Sequence, residues 1–303
     1  MLRSAVPRIR RLPIQRILAV RQSHSAIPFD TEPFPLERFE PCCPGEANRT
    51  FENGYVPCKN HPLPNVIGGK VDFADPFPQR PPSARHIVAC IGHGAPEWNR
   101  AKVEAVKGGY VQSTELAKND FLKQNRNVES SPFDLLTTVC ERPPESKAKP
   151  DIIVFPDFKR YPAVDPTALT QSPFYSVLES LWKEPKSTTL PDIPCEELDV
   201  DTIVLVCTHT MRDKRCGILG PLLVDEFRRV FEERGLKKAE VWGTSHFGGH
   251  KFAGNVIIHQ KGLGGQMYGN LRQCHVESVV DRHIINRKVI RSLWRGSVTP
   301  ATL

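Results

Sequence analysis

The chain has 303 residues, 41 Lys+Arg against 34 Asp+Glu, a formal charge of +7 and a pI near 8.9. Six arginines (Arg3, Arg8, Arg10, Arg11, Arg16, Arg21) precede the first acid, Asp30; without them 35 basic residues face 34 acidic ones, a body with no general electrostatic reason to bind a phosphate backbone. The longest apolar runs fall short of the about 18 residues that a spanning helix needs, and nine cysteines are too few for a disulfide framework of this length.

Residues 1–26, Arg-rich and free of acids, have the composition of a mitochondrial presequence. Residues 27–85 are dense in proline and turn formers and predict an irregular lead-in wrapped on a domain. The first strand is expected over His86–Gly92, followed by a GHGAPEW loop and a helical region near Asn99–Val106. Asp151–Phe155 reads as a buried strand, Phe174–Trp182 as a short amphipathic helix, and Lys183–Pro194 as a linker. Domain boundaries then follow at 86–194 and 195–303.

The second unit opens with the apolar run Thr202–Cys207, of strand length. A helix is expected from Pro221, with Leu223, Phe227, Val230 and Phe231 on one stripe and Gly235 as its stop. Strands are predicted at Ala239–Gly243 and Asn255–His259, and a last helix at His275–Trp294 burying Val276, Val279, Val280 and Ile284. The fold class is α/β, and both halves open with strand, loop and helix.

Two motifs carry chemistry. Cys207 and Cys216 are separated by eight residues between a strand end and a helix, and His246 and His250 by three residues in a loop after a strand. Two thiolates and two imidazoles favour zinc or an iron–sulfur cluster over the oxygen-seeking cations. Gly248 and Gly249 would let backbone approach an inorganic centre, and Arg212, Lys214 and Arg215 would offset its negative charge. Zinc knuckles place cysteines two to four apart, whereas a two-iron cluster tolerates wider loops. His209, between the cysteines, is expected to face solvent; His259, in a strand, is read as structural, and His275 and His283 have no partner motif.

CTHTMRDKRCG followed by SHFGGHKFAGN, with HIVACIGHGAPEW upstream and MYGNL downstream, closely resembles the sucrase/ferredoxin-like family over roughly residues 86–295. The presequence makes the family's mitochondrial branch the nearer match. The resemblance implies a C-terminal thioredoxin-like ferredoxin domain, preceded by a smaller or related α/β domain. It implies a [2Fe–2S] cluster held by Cys207, Cys216, His246 and His250, the cysteines on one iron and the histidines on the other. Such a protein moves single electrons between redox partner proteins in mitochondria, in thiol redox or iron–sulfur homeostasis. The competing readings are a structural zinc module and a metal-free thiol oxidoreductase, although the adjacent C-x-x-C of the latter is missing. A sucrase proper is disfavoured, because no pair of positioned carboxylates is marked. Cys42, Cys43 and Cys58 in the lead-in read as ordinary reduced surface thiols, with a redox-active pairing or a second metal site as alternatives; Cys90 reads as core, and Cys140, Cys195 and Cys274 have no spacing signature.

Overall fold

The computed structural model describes residues 27–30, 32, 65–67, 81–146, 148–249 and 252–301. The presequence, most of the lead-in with Cys42, Cys43 and Cys58, and His250 lie outside these residues. No helix among the described residues is long and apolar enough to cross a membrane.

Ten strands form one mixed sheet: β1 Arg85–Cys90, β2 Leu135–Cys140, β3 Asp151–Phe155, β4 Lys159–Tyr161, β5 Glu196–Glu197, β6 Thr202–Cys207, β7 Ala239–Thr244, β8 Val256–Gln260, β9 Gly264–Tyr268 and β10 Trp294–Thr299. Their order is β10-β9-β8-β6-β7-β2-β1-β3-β4-β5. The helices are α1 Tyr110–Gln124, α2 Phe174–Lys183, α3 Lys214–Glu233 and α4 Val276–Val279, the last running on as a π turn over Val280–Ile285.

The topology repeats. In the first half β1 is parallel to β2 and antiparallel to β3, which pairs antiparallel with β4. In the second half β6 is parallel to β7 and antiparallel to β8, which pairs antiparallel with β9. Each half is therefore a βαβ unit followed by a ββ hairpin and a helix, the thioredoxin-like order. The halves join where β2 meets β7 at Cys140 and Thr244.

Strand alternation sorts the core into three layers. Ile87, Ala89, Ile152 and Val154 pack against α1 and α2. Val204 and Val206 pack against Leu219, Leu223, Phe227 and Val230 of α3, each fully buried large side chain contributing about 1.5–3 kcal/mol. The opposite faces of both halves share a third layer, with Val88, Cys90 and Cys140 from one and Leu205, Cys207 and Met267 from the other. Strands buried on both faces explain why DIIVF and TIVLVC are continuous apolar runs without alternation. His86 and His259 meet in this interior, Nδ1 to Nε2 at 2.9 Å, so His259 is a core residue that ties the halves together. Of the lead-in, Ile27 and Phe29 pack on the second half.

Three expectations need correction, and one helix carries no expectation. Residues 96–105 form two 3₁₀ turns, Pro96–Asn99 and Val103–Ala105, because Val103 and Val106 bury at a three-residue spacing. The first full helix is α1, whose stripe of Tyr110, Val111, Thr114, Ala117 and Phe121 contains a polar member and reads weakly as sequence. Helix α3 starts seven residues before Pro221, where the Asp213 carboxylate caps the N–H of Arg215 at 2.9 Å, and Pro221 lies inside the helix. The final helical segment ends at Ile285, before Arg287 at φ 58°, and Trp294 begins β10, which pairs with β9.

Candidate metal centre

Three of the four singled-out side chains converge. Cys207, Cys216 and His246 present one ligand atom each, all within 4.8 Å of one another. The fourth, His250, lies outside the described residues.

Each position follows from local structure. Cys207 is the last residue of β6, its N–H bonded to the Asn255 carbonyl at 3.0 Å. The chain then turns: the His209 carbonyl accepts from the N–H groups of Arg212 and Asp213, both at 3.1 Å, and the Asp213 cap launches α3. Cys216 is the third residue of that helix, where unpaired N–H groups and the helix dipole favour an anion. One turn later, Gly220 lies so close to β6 that a Cβ there would sit 2.4 Å from the Cys207 carbonyl oxygen. Helix and strand end can touch at this distance only through glycine. His246 follows β7 and Ser245, whose N–H reaches the Val139 carbonyl at 2.8 Å and whose Oγ accepts from the Val139 N–H at 3.1 Å. Beyond it Gly248 and Gly249 take φ of 103° and 68°, and Asn255 Nδ2 holds the Gly249 carbonyl at 2.7 Å.

The electrostatics suit a soft cation. A hydrogen bond from Cys207, with a further one from His246, lowers the pKa of the Cys216 thiol, which favours its thiolate form. Its partner Cys207 is pushed up by that same bond and by burial. The pair thus holds one proton and one negative charge in a buried place, and a cation displaces the proton. The His209 backbone N–H also donates to the Cys207 sulfur. His246 Nδ1 stands 3.8 Å from Cys207 Sγ, close to the about 3.6 Å that separates thiolate and imidazole ligands on one tetrahedral ion. The donor set and its charge therefore fit a thiolate–imidazole metal centre.

Of the three cations in the cysteine loop, Arg215 is paired with Asp213 at 2.8 Å. Arg212 lines a cavity of about 120 Å³ together with His209, His246 and residues 101–104. His209 does not face solvent: it is 1% exposed, its Nε2 lies 2.7 Å from the Arg100 carbonyl oxygen, and its ring meets Trp98 edge-on at 6.0 Å. Burial lowers its pKa.

The first half thus walls the centre, which the motifs of the second half alone did not reveal. Besides Trp98 and Arg100, Glu141 accepts from Thr208 Oγ1 at 3.0 Å across the β2–β7 seam. Cys90 and Cys140, which carry no motif, sit side by side at the ends of β1 and β2, sulfurs 3.6 Å apart.

Comparison with known proteins places these features. The model of the sucrase/ferredoxin-like family matches residues 77–296. "Altered inheritance of mitochondria protein 32" of Debaryomyces hansenii is 37% identical over 130 residues, 42% of this chain and 45% of that protein. The protein of the same name from Meyerozyma guilliermondii is 25% identical over 285 residues, 88% of this chain and 98% of the relative. The first of these alignments thus spans less than half of the relative's length. Among solved structures, a thioredoxin-like [2Fe–2S] ferredoxin from Aquifex aeolicus covers 34% of this chain and 98% of its own, with a TM-score of 0.28 and 13% identity.

Proposed function

The chain belongs to the sucrase/ferredoxin-like family, and from that premise we propose that it is a mitochondrial electron-transfer protein built around a [2Fe–2S] centre. One observation carries the reading: two cysteines and a histidine from three separate elements converge within 4.8 Å. Cys207 and Cys216 supply the thiolate ligands and His246 one imidazole, with His250, four residues on, as the second. When bound, an iron–sulfur centre of this kind supplies one-electron redox chemistry, and neutral imidazoles in place of two thiolates raise its potential. The protein's own part is to fix the donors at the joint of β6, α3 and the glycine loop, with residues 101–104 of the first half beside His246. In this reading residues 195–303 form the metal-binding unit and residues 86–194 the related unit that walls it. The chain exchanges electrons with redox partner proteins, and residues 1–26 address it to mitochondria, in keeping with the names of its relatives.

A second reading, a structural zinc site, is favoured by one feature, the compactness of the three donors. Cysteines on one iron and histidines on another stand further apart than ligands of a single ion, and the 3.8 Å sulfur–nitrogen distance is that of the single ion. Metal analysis of anaerobically purified protein separates the two. Two irons and two sulfides per chain, lost together in Cys207→Ser and Cys216→Ser, support the cluster; one zinc supports the alternative; neither metal refutes both. A reporter carrying residues 1–26 tests the address: mitochondrial import is expected, and a cytosolic reporter contradicts it.

A further inference from the structure

His209 organises the cysteine loop through every polar group it has, save one. Its backbone N–H donates to Cys207 sulfur, its carbonyl takes the two N–H groups that start the turn into α3, and its Nε2 meets the Arg100 carbonyl oxygen at 2.7 Å. Since a carbonyl oxygen only accepts, the proton of the imidazole sits on Nε2. Nδ1 is then the acceptor nitrogen. It is buried and has no hydrogen-bond partner among the described residues. Leaving a buried polar atom unpaired costs about 1–3 kcal/mol, a penalty that a hydrogen-bond donor at Nδ1 would relieve. A doubly protonated ring would be worse, since it would bury a second cation beside Arg212 in the same cavity.

That cavity, about 120 Å³, has His246 in its wall along with His209. His246 turns Nδ1 toward the Cys207 sulfur. When Nδ1 binds a metal, the proton of the ring is on Nε2. Metal-ligating histidines almost always donate this second N–H to an acceptor that fixes the tautomer and raises ligand basicity.

We propose that His209 is the positioning residue for His246: its Nδ1 accepts the His246 Nε2–H through one water in their shared cavity. The inference rests on the reading of Cys207, Cys216 and His246 as a metal centre, but not on which metal they hold. It also gives the first half a role, because the Arg100 carbonyl on that side sets the tautomer of His209.

The test uses the full chain and Zn²⁺ alone as probe, with affinity measured by competition against a chromophoric chelator. His209→Leu is isosteric enough to fill the space but accepts nothing, and should weaken zinc binding about 10–100-fold. His209→Gln can donate to the Arg100 carbonyl and accept with its own oxygen, and should stay near wild type. On the iron-loaded protein, His209→Leu should shift the reduction potential upward, because a less basic His246 stabilises the oxidised centre less; a packing defect has no reason to give that direction together with rescue by glutamine. Should the leucine variant fail to fold, His209→Asn, too short to reach both partners, replaces it with the same expectations. Equal zinc affinity in wild type and His209→Leu, or equal losses in the leucine and glutamine variants, overturns the inference while leaving the metal centre standing. Wild-type protein that binds neither zinc nor iron overturns the metal reading itself.

Discussion

Gly220→Ala probes the contact on which the site geometry depends. The new Cβ would lie 2.4 Å from the Cys207 carbonyl oxygen and 2.9 Å from the Thr208 Cα. Both are backbone atoms, so no side chain can rotate away, and α3 must retreat from the end of β6 by about 1 Å to restore ordinary contact. Overpacking of this kind costs about 1–3 kcal/mol, offset by about 1 kcal/mol because alanine is the better helix former. The net loss of stability is therefore small, at most about 2 kcal/mol. The site feels more, because Cys216 sits one turn earlier on the same helix and metal ligands tolerate only about 0.2 Å of error. Zinc affinity should fall about tenfold or more. Gly235→Ala is the control. At φ 64° with no atom within 4 Å of the new Cβ, it should cost about 1–2 kcal/mol through backbone strain and leave affinity unchanged. Urea denaturation and chelator competition read the two effects separately. Wild-type affinity in Gly220→Ala, or parallel losses of affinity in both variants, would refute the argument that this glycine sets the ligand spacing.

Three further outcomes are expected. Burial holds His259, His275 and His283 at about 3 in the folded chain, against about 6.5 unfolded. The neutral rings thus contribute stability that is whole above pH 6.5 and is lost as pH falls toward 3. The loss approaches about 4 kcal/mol per pH unit for the three together, so the urea midpoint should drop sharply between pH 6.5 and 5, and an unchanged midpoint contradicts the burial of these rings. Asp157→Ala leaves the fully buried Arg85 guanidinium, now 2.8 Å from that carboxylate, with only the Pro185 and Ser187 carbonyls. It should destabilise by about 3–5 kcal/mol, whereas Asp120→Ala, which breaks an exposed pair with Lys123, should cost under about 1 kcal/mol; comparable melting temperatures would refute the contrast. Cys90 and Cys140 are buried, and the Cys90 thiol is pushed up by its neighbour and by burial, so alkylation should spare both in native protein and label them after denaturation. Native labelling at the rate of the half-buried Cys195 would contradict their placement.

How much of this was legible in the sequence varied with the kind of force at work. Fully buried strands announce themselves, so β1, β3 and β6 were found near their observed bounds. Strands whose identity depends on pairing were missed. β9 is GGQMY, which has little intrinsic strand preference and is held by β8 and β10 on either side. The start of α3 was misplaced because Pro221 is a strong signal for a first turn, and the weaker local signal, the Asp213 cap, governs. At the site, cysteine and histidine spacing selected Cys207, Cys216 and His246, which do converge, since both motifs follow parallel neighbouring strands and therefore end at the same edge of the sheet. The burial of His209 was not readable. It depends on Trp98 and Arg100, more than a hundred residues away, and no local pattern encodes that contact.

The central claim, a redox-active iron–sulfur centre held by Cys207, Cys216 and His246 with His250, is tested most directly by the visible spectrum of the protein purified without air. The expected result is a red-brown protein with charge-transfer absorbance above about 400 nm that bleaches on reduction by dithionite, and a colourless product from Cys216→Ser. A colourless wild-type protein, free of iron, would contradict it.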